Sequence, residues 1–383
     1  MKLRDYQQRS IKLLYEWLEA NEGNPCLVLP TGSGKSHIVA ALCQDALTQW
    51  PDTRVLMITH VKELIQQNAE KMREHWAGAP MGIYSAGLRQ KNLSEPITFA
   101  GIQSIRNRAD EIGHVDLIIV DECHLISHKE EGGYRDLIKQ LFEINPHLRV
   151  IGLTATPFRL GHGYIDEEGA LFDDRIEPVT IEELIYKGHL CTLRSKKTVA
   201  KLSVEGVHKR GGEYIESELQ AAVDNEDING QVVDEVISRG QNNKHWLFFC
   251  TGVAHAEHIA EDLNDMNITA ACVTGKTPAA ERASIIKRFK SGEIKALTNA
   301  NVLTTGFDFP NIDLIAMLRP TMSPSLYMQM AGRGLRPKGH TDHCLVLDFA
   351  GNVEAHGPIT RVRPPHKSGS GGEAPVKVCD ACH

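Results

Sequence analysis

"LPTGSGKS", residues 29–36, is the stretch from which the rest of the chain is read. A glycine-rich turn ending in Gly-Lys-Ser lets successive backbone N–H groups face a phosphate, at the positive end of the helix that follows. Lys35 is then placed to reach β- and γ-phosphates, and the Ser36 hydroxyl suits Mg2+. Thr31, Gly32, Ser33 and Gly34 complete the cradle. The full pattern wants a glycine five residues before Gly34, where Leu29 stands instead. The loop points to a nucleotide without saying what is done with it.

Working outward, "CLVLP" (26–30) reads as a buried strand entering the loop, and a helix is predicted from about Gly34. Residues 5–20 put Ile11, Leu14, Tyr15 and Leu18 on one helical face. Further strands are predicted at 54–59, 97–100, 115–122 and 148–155. The alternation restarts at 245–250, 268–273, 294–299, 313–318 and 343–349. Short β-rich runs separated by amphipathic stretches are the mark of a parallel-sheet α/β protein, and here they come as two tandem units. The predicted domains are 1–185 and 226–362, with a polar insertion or linker at 186–225 that holds a hairpin turn, "KRGGEY" (209–214). Residues 363–383 open with a Pro/Gly/Ser-rich linker and end in "VCDACH".

The 383 residues suit two domains of ordinary size, and no apolar run reaches the roughly 20 residues a membrane-spanning helix needs. "MKLRDYQQRS" lacks an apolar signal core, and of nine cysteines only Cys379 and Cys382 sit as a close pair. The expectation is a cytoplasmic protein without a disulfide framework. Net charge is −7, and the acidic excess lies in residues 1–185, with 19 Lys and Arg against 27 Asp and Glu. Bulk acidity disfavours nucleic acid as a partner, but backbone binding needs only a local basic track.

Two further stretches carry chemistry. In "IIVDECH" (118–124) an apolar strand ends in two carboxylates, at the sheet edge where α/β proteins bind ligands. Asp121 suits Mg2+ and Glu122 suits the base that orients an attacking water. In "SLYMQMAGRGLRP" (325–337), Arg333 and Arg336 are three apart and would share one face of a helix. Such guanidinium groups are able to reach a γ-phosphate across a cleft; the plainer fate of a Gly-Arg pair is a basic helix end that satisfies carbonyls.

In order and wording these motifs resemble a superfamily 2 helicase of the DExH type, over residues 3 to about 352. The resemblance implies two tandem RecA-like domains with ATP and Mg2+ between them. "LRDYQQ" resembles the adenine-reading segment, with Gln7 on the base and Arg4 nearby. "THVKEL" (59–64) and "TFAGIQSI" (98–105) resemble strand-contacting segments, which implicates Thr59, His60, Gln103 and Ser104. "TATP" (154–157) resembles the coupling motif, with Thr154 and Thr156, and His124 is assigned to coupling beside them. In the second unit the likeness places Thr251, Thr304 and Thr305 on the strand, Gly306 and Asp308 near the nucleotide, and Gln329, Arg333 and Arg336 in the ATP site.

The strings "GLTATPFRLG", "VLTTGFD" and "DFAGN" look most like the RadD family of bacterial DNA-repair ATPases. That likeness implies DNA, single-stranded or branched, as partner, together with single-strand DNA-binding protein, and a monomeric motor without membrane attachment. An ATP-gated DNA clamp that recruits repair proteins and an RNA-dependent remodelling ATPase stay open beside it. Cys379 and Cys382 form half of a four-cysteine site, so Zn2+ is expected only if other residues complete it.

Overall fold

The apolar run before the glycine turn forms β1 (Pro25–Val28), buried throughout. In the computed structural model, which describes residues 2–126, 132–159, 163–304 and 306–362, the chain divides into two compact units, Met1–Thr180 and Ile181–His383. In the first unit β1 is joined by β2 (Val55–Thr59), β3 (Met81–Ser85), β4 (Gln90–Lys91), β5 (Ile97–Gly101), β6 (Leu117–Asp121) and β7 (Arg149–Thr154). A short antiparallel pair follows, β8 (Phe158–Arg159) with β9 (Gly163–Tyr164), and β10 (Asp174–Ile176) closes the main sheet. The strand order is β10-β1-β7-β6-β2-β5-β3-β4, parallel except where β4 turns back on β3.

Strands covered on both faces carry continuous apolar runs, and β1, β2 and most of β6 are buried accordingly. Leu56, Ile58, Ile118, Val120 and Val150 meet Leu137, Ile138 and Leu141 from the helix Gly133–Ile144 in one core. Three helices matter to the site: α1 (Asp5–Ala20), α2 (Lys35–Gln49) and α3 (Lys62–His75). α1 opens with a reciprocal cap, in which Arg4 N–H donates to Gln7 Oε1. On this helix Leu14 is fully buried and Ile11, Tyr15 and Leu18 are half-buried.

The second unit repeats the plan with β11 (Thr192–Lys196), β14 (Trp246–Cys250), β15 (Ala270–Val273), β16 (Ala296–Asn299), β17 (Leu314–Leu318) and β18 (His343–Asp348). Between β11 and β14 lies a hairpin, β12 (Lys209–Arg210) with β13 (Glu213–Tyr214). The main order is β11-β18-β17-β14-β16-β15, all parallel. Trp246, Phe248, Val232, Val236, Ile259 and Leu263 form its core.

Every strand predicted from the sequence is present, and β3, β10 and β11, with the two-residue strands β4, β8 and β9, are additional. β11 lies within 186–225, the stretch read as an insertion, and supplies an edge strand of the second sheet. Its alternate residues are exposed, so its composition is polar and the apolar pattern is lost. Because these strands are parallel, their C-terminal ends share one edge of each sheet, where ligands of α/β proteins bind.

Candidate functional site

The glycine turn is held open by backbone geometry. Gly32 and Gly34 have φ of 88° and 81°, a region where a side chain is strained. A Cβ at Gly34 would also stand 2.8 Å from Gln7 Nε2. α2 begins at Lys35 with no acidic residue in its first turn, which leaves its N-terminal dipole unopposed. Lys35 Nζ donates to Leu29 O at 3.3 Å, folding its ammonium back along the loop. Thr31 is half-buried, and Ser33 is buried with its hydroxyl unpartnered among the described residues.

α1 fastens the turn from outside. Tyr6 O–H and Gln7 Nε2 both donate to Ser33 O, at 2.6 and 3.1 Å. Gln7 is buried, and with Oε1 on Arg4 N its amide is engaged at both ends by backbone. In this geometry Gln7 braces the loop, with a second Nε2 N–H and a second Oε1 lone pair left beyond these two bonds. Arg4 is exposed, with Nη1 3.5 Å from Tyr6 Oη.

The acid end is connected to the loop by a residue the sequence reading missed. Ser36 O–H donates to Asn68 Oδ1 at 2.6 Å, and Asn68 Nδ2 donates to Asp121 Oδ2 at 3.0 Å. Asn68 is 4% exposed and lies on the buried face of α3, among Leu64, Ile65, Ala69 and Met72. A lone amide in an apolar stripe was the available signal, since a buried polar group implies a partner. Asp121 Oδ1 accepts from Glu122 N at 3.0 Å. Burial first, then the neighbouring Glu122 charge, push the Asp121 carboxyl up to about 6, against the pull of Lys35.

Glu122 takes φ 52° and ψ 46°, a left-handed conformation that costs a non-glycine residue roughly 1–2 kcal/mol. Observed strain of this kind is common where a side chain must be aimed. His124 is buried, with Nδ1 2.9 Å from Thr154 Oγ1 and 3.4 Å from Glu122 Oε2. Thr154 Oγ1 in turn accepts from Thr156 N at 3.0 Å. The coupling residues named from the sequence thus form one contact chain from β7 to Glu122. His60, assigned to the strand, lies in the field of Glu122 and Asp121, while burial lowers its own basicity.

The remaining candidates divide. Thr59 is buried at the end of β2 with its hydroxyl unpartnered among the described residues. Gln103 is exposed and borders a polar depression with Ser104, Arg106 and Asn107, while Ser104 Oγ accepts from Ala86 N at 3.0 Å. Thr251 is corrected: it is fully buried and its hydroxyl donates to Leu318 O at 3.0 Å, so it offers no side chain to a strand. Thr305, Cys379 and Cys382 lie outside the described residues. Among the described residues no group of three or more His, Cys, Asp or Glu is placed to hold a metal.

In the second unit Gly306 has φ 75°, and both predicted arginines hold its loop. Arg333 donates to Phe307 O at 2.6 Å and to Thr304 O; Arg336 lies 3.3 Å from Asp308. The expectation of one shared helical face is corrected. The helix Pro324–Gly332, which carries the half-buried Gln329, stops before Arg333, and a single 3-10 turn follows. Arg336 is extended, ψ 136°, because Pro337 disfavours helix in the residue before it.

The type III restriction enzyme res-subunit family matches residues 1–159, and the helicase conserved C-terminal domain matches residues 229–338. The chain is thus similar, through both of its units, to the superfamily 2 helicases. It is 28% identical over 364 residues to a Saccharomyces cerevisiae protein named as an ATP-dependent helicase, IRC3, covering 91% of this chain and 51% of that one. A 51.5 kDa protein of a Lactococcus phage is also 28% identical, over 86% of this chain and 66% of its own. The DNA 3'-5' translocase XPB2 of Sulfurisphaera tokodaii is 26% identical, over 88% and 79%. The chain thus spans about half to two thirds of the first curated relatives it matches.

Among solved structures, a fragment assigned as the HsdR subunit of a Vibrio vulnificus type I restriction enzyme superposes with a TM-score of 0.69 at 22% identity, covering 92% of this chain and 65% of that one. Saccharomyces cerevisiae Dbp5 bound to RNA and ADP BeF3 gives 0.62 at 14% identity, over 92% and 86%. These likenesses show the fold, two RecA-like units. No helix among the described residues is long and apolar enough to cross a membrane.

Proposed function

We propose that the chain hydrolyses ATP and uses the cycle to translocate on, or open, DNA. The observation that carries this reading is the hydrogen-bonded line from half-buried Ser36 through buried Asn68 and Asp121 to half-buried Glu122, next to a turn with two left-handed glycines. A buried carboxyl pushed up to about 6 and tied through Asn68 to the turn is the kind of perturbed group that marks a functional site. The N–H groups of residues 32–35 receive the phosphates at the α2 terminus, and Lys35 swings from Leu29 O to the outer ones. The donor set fits Mg2+, with Ser36 and Asp121 as its holders, and the ion would draw charge off the phosphate oxygens. Glu122 orients water and takes its proton as ATP becomes ADP and phosphate. His124 reports the state of Glu122 to Thr154 and Thr156.

In the same reading Arg333 and Arg336 come from the second unit to the γ-phosphate when the two units close on ATP. A group of this kind is worth roughly 10³–10⁵ in rate where it has been measured. Their hold on Thr304, Phe307 and Asp308 would let the nucleotide state move the loop that carries Thr304. DNA is favoured by the name of the XPB2 relative, and a role in repair beside single-strand DNA-binding protein by the RadD-like strings. The seven described cysteines are all free, in keeping with a reducing compartment such as the cytosol.

The test is steady-state ATP hydrolysis alone, with single-stranded DNA, with forked DNA and with RNA of the same sequence, using Glu122→Gln as blank. Stimulation by DNA that vanishes in the blank is the expected result. If RNA stimulates and DNA does not, the partner assignment falls; if neither does in protein that binds ATP, the motor reading falls.

A further inference from the structure

We infer that the β12–β13 hairpin is a strand-gripping element, binding the phosphate backbone of single-stranded DNA through Lys209 and Arg210. This rests on the proposed nucleic-acid activity and adds a contact that none of the helicase motifs contains.

The hairpin is built to hold its shape. Its two-residue turn, Gly211-Gly212, has φ of 63° and 86°, the paired positive values of a tight type I′ turn, and Lys209 and Arg210 face Tyr214 and Glu213 across the ladder. It is also fixed to the functional edge of the second sheet. Glu213 accepts from Thr321 Oγ1 at 2.5 Å and from Met322 N at 2.9 Å, just past the end of β17. Glu216 accepts from Asn301 Nδ2 at 2.9 Å, in the loop that leaves β16 and runs on to Thr304. Two carboxylates thus rivet the hairpin and the helix after it to the loops following β16 and β17.

Those rivets leave the tip electropositive. Glu213 and Glu216, the first acids after the turn, are directed to Thr321, Met322 and Asn301, and both face the guanidinium of Arg319. Lys209 and Arg210 are exposed, and neither is held in an ion pair among the described residues. Lys209 Nζ sits 5.3 Å over the Tyr214 ring, which orients the ammonium without neutralising it. Lys196, Lys197 and Lys201 are likewise exposed and line a depression at the ends of β11 and β18, on the same edge. Residues 196–210 therefore carry five basic side chains against Glu205 alone, in a chain of net charge −7. A solvated surface of an acidic protein has no need to keep unpaired cations on a rigid, doubly anchored turn; a polyanion partner does.

The experiment is fluorescence anisotropy of a labelled oligo(dT) with the full chain across a salt series, for wild type and Lys209→Gln/Arg210→Gln. Two lost phosphate contacts should make the slope of log K against log salt shallower by about 1.4, which is about 25-fold in affinity at 0.1 M if the lines meet near 1 M. ATP hydrolysis without DNA should be unchanged, which certifies the fold. Thr321→Val, which frees the anchor and keeps both cations, should weaken binding by a smaller factor with the slope unchanged. Equal affinity and slope in wild type and the double variant would overturn the hairpin inference and leave the motor reading intact. No binding by wild type at any salt would overturn the motor reading itself.

Discussion

Asn68→Ala removes, in one substitution, both hydrogen bonds that join the phosphate loop to the acid strand through α3. The lost bonds are Ser36 O–H to Asn68 Oδ1 at 2.6 Å and Asn68 Nδ2 to Asp121 Oδ2 at 3.0 Å. With Asn68 in place, the hydroxyl proton of Ser36 is parked on the amide, so its lone pairs are turned away from α3. Without it the proton has no assigned acceptor, and Asp121 loses a donor in a site only 6% exposed. Loss of an outer-shell partner of this kind typically costs about 10–100-fold in metal affinity, or about 1.4–2.7 kcal/mol. The assay is binding of a fluorescent ATP analogue with Mg2+ and with EDTA. In the variant the Mg2+-dependent gain should shrink about 10–100-fold, while the affinity in EDTA, which reports the loop itself, stays close to that of wild type. An undiminished Mg2+ gain in Asn68→Ala would refute the assignment of Asn68 as the positioning residue.

Two more outcomes follow from particular residues. Gly34→Ala forces a side chain onto φ 81° and to 2.8 Å from Gln7 Nε2, so nucleotide affinity should collapse while the second unit still melts at its own temperature in calorimetry. His255, fully buried with Nε2 unpartnered among the described residues, has its basicity lowered to about 4, chiefly by burial. Its folded pKa lies below the unfolded value, so the unfolded chain binds the extra proton between about pH 6.5 and 4. Stability is whole above pH 6.5 and declines as pH falls, by up to about 3 kcal/mol. His255→Phe should flatten that decline in urea unfolding followed across the same range; an unchanged slope would count against the buried neutral ring.

Much of the fold was legible because its signals are local. An apolar strand, a glycine turn and a helix are contiguous at 26–49, and so are the strand and carboxylates at 117–122. Edge strands such as β11 escaped because one-sided burial leaves alternate polar residues. The reading of Arg333 and Arg336 as one helical face failed at Pro337, whose effect on the residue before it outweighs helical spacing. Nothing near Thr251 foretold its bond to Leu318, 67 residues away.

The sequence by itself therefore determined the class of the protein: a phosphate-binding turn, an acid pair and their order along two α/β repeats, each set by neighbours in the chain. Only the tertiary structure decided which polar groups are spent on the protein and which remain for a ligand. Asn68 joins Ser36 to Asp121, Gln7 braces the loop, and Glu213 pins a basic hairpin to Thr321, across sequence separations from 26 to 108 residues. Hydrogen bonds are short-ranged and directional, so such partnerships exist only once the folded backbone has brought donor and acceptor within about 3 Å.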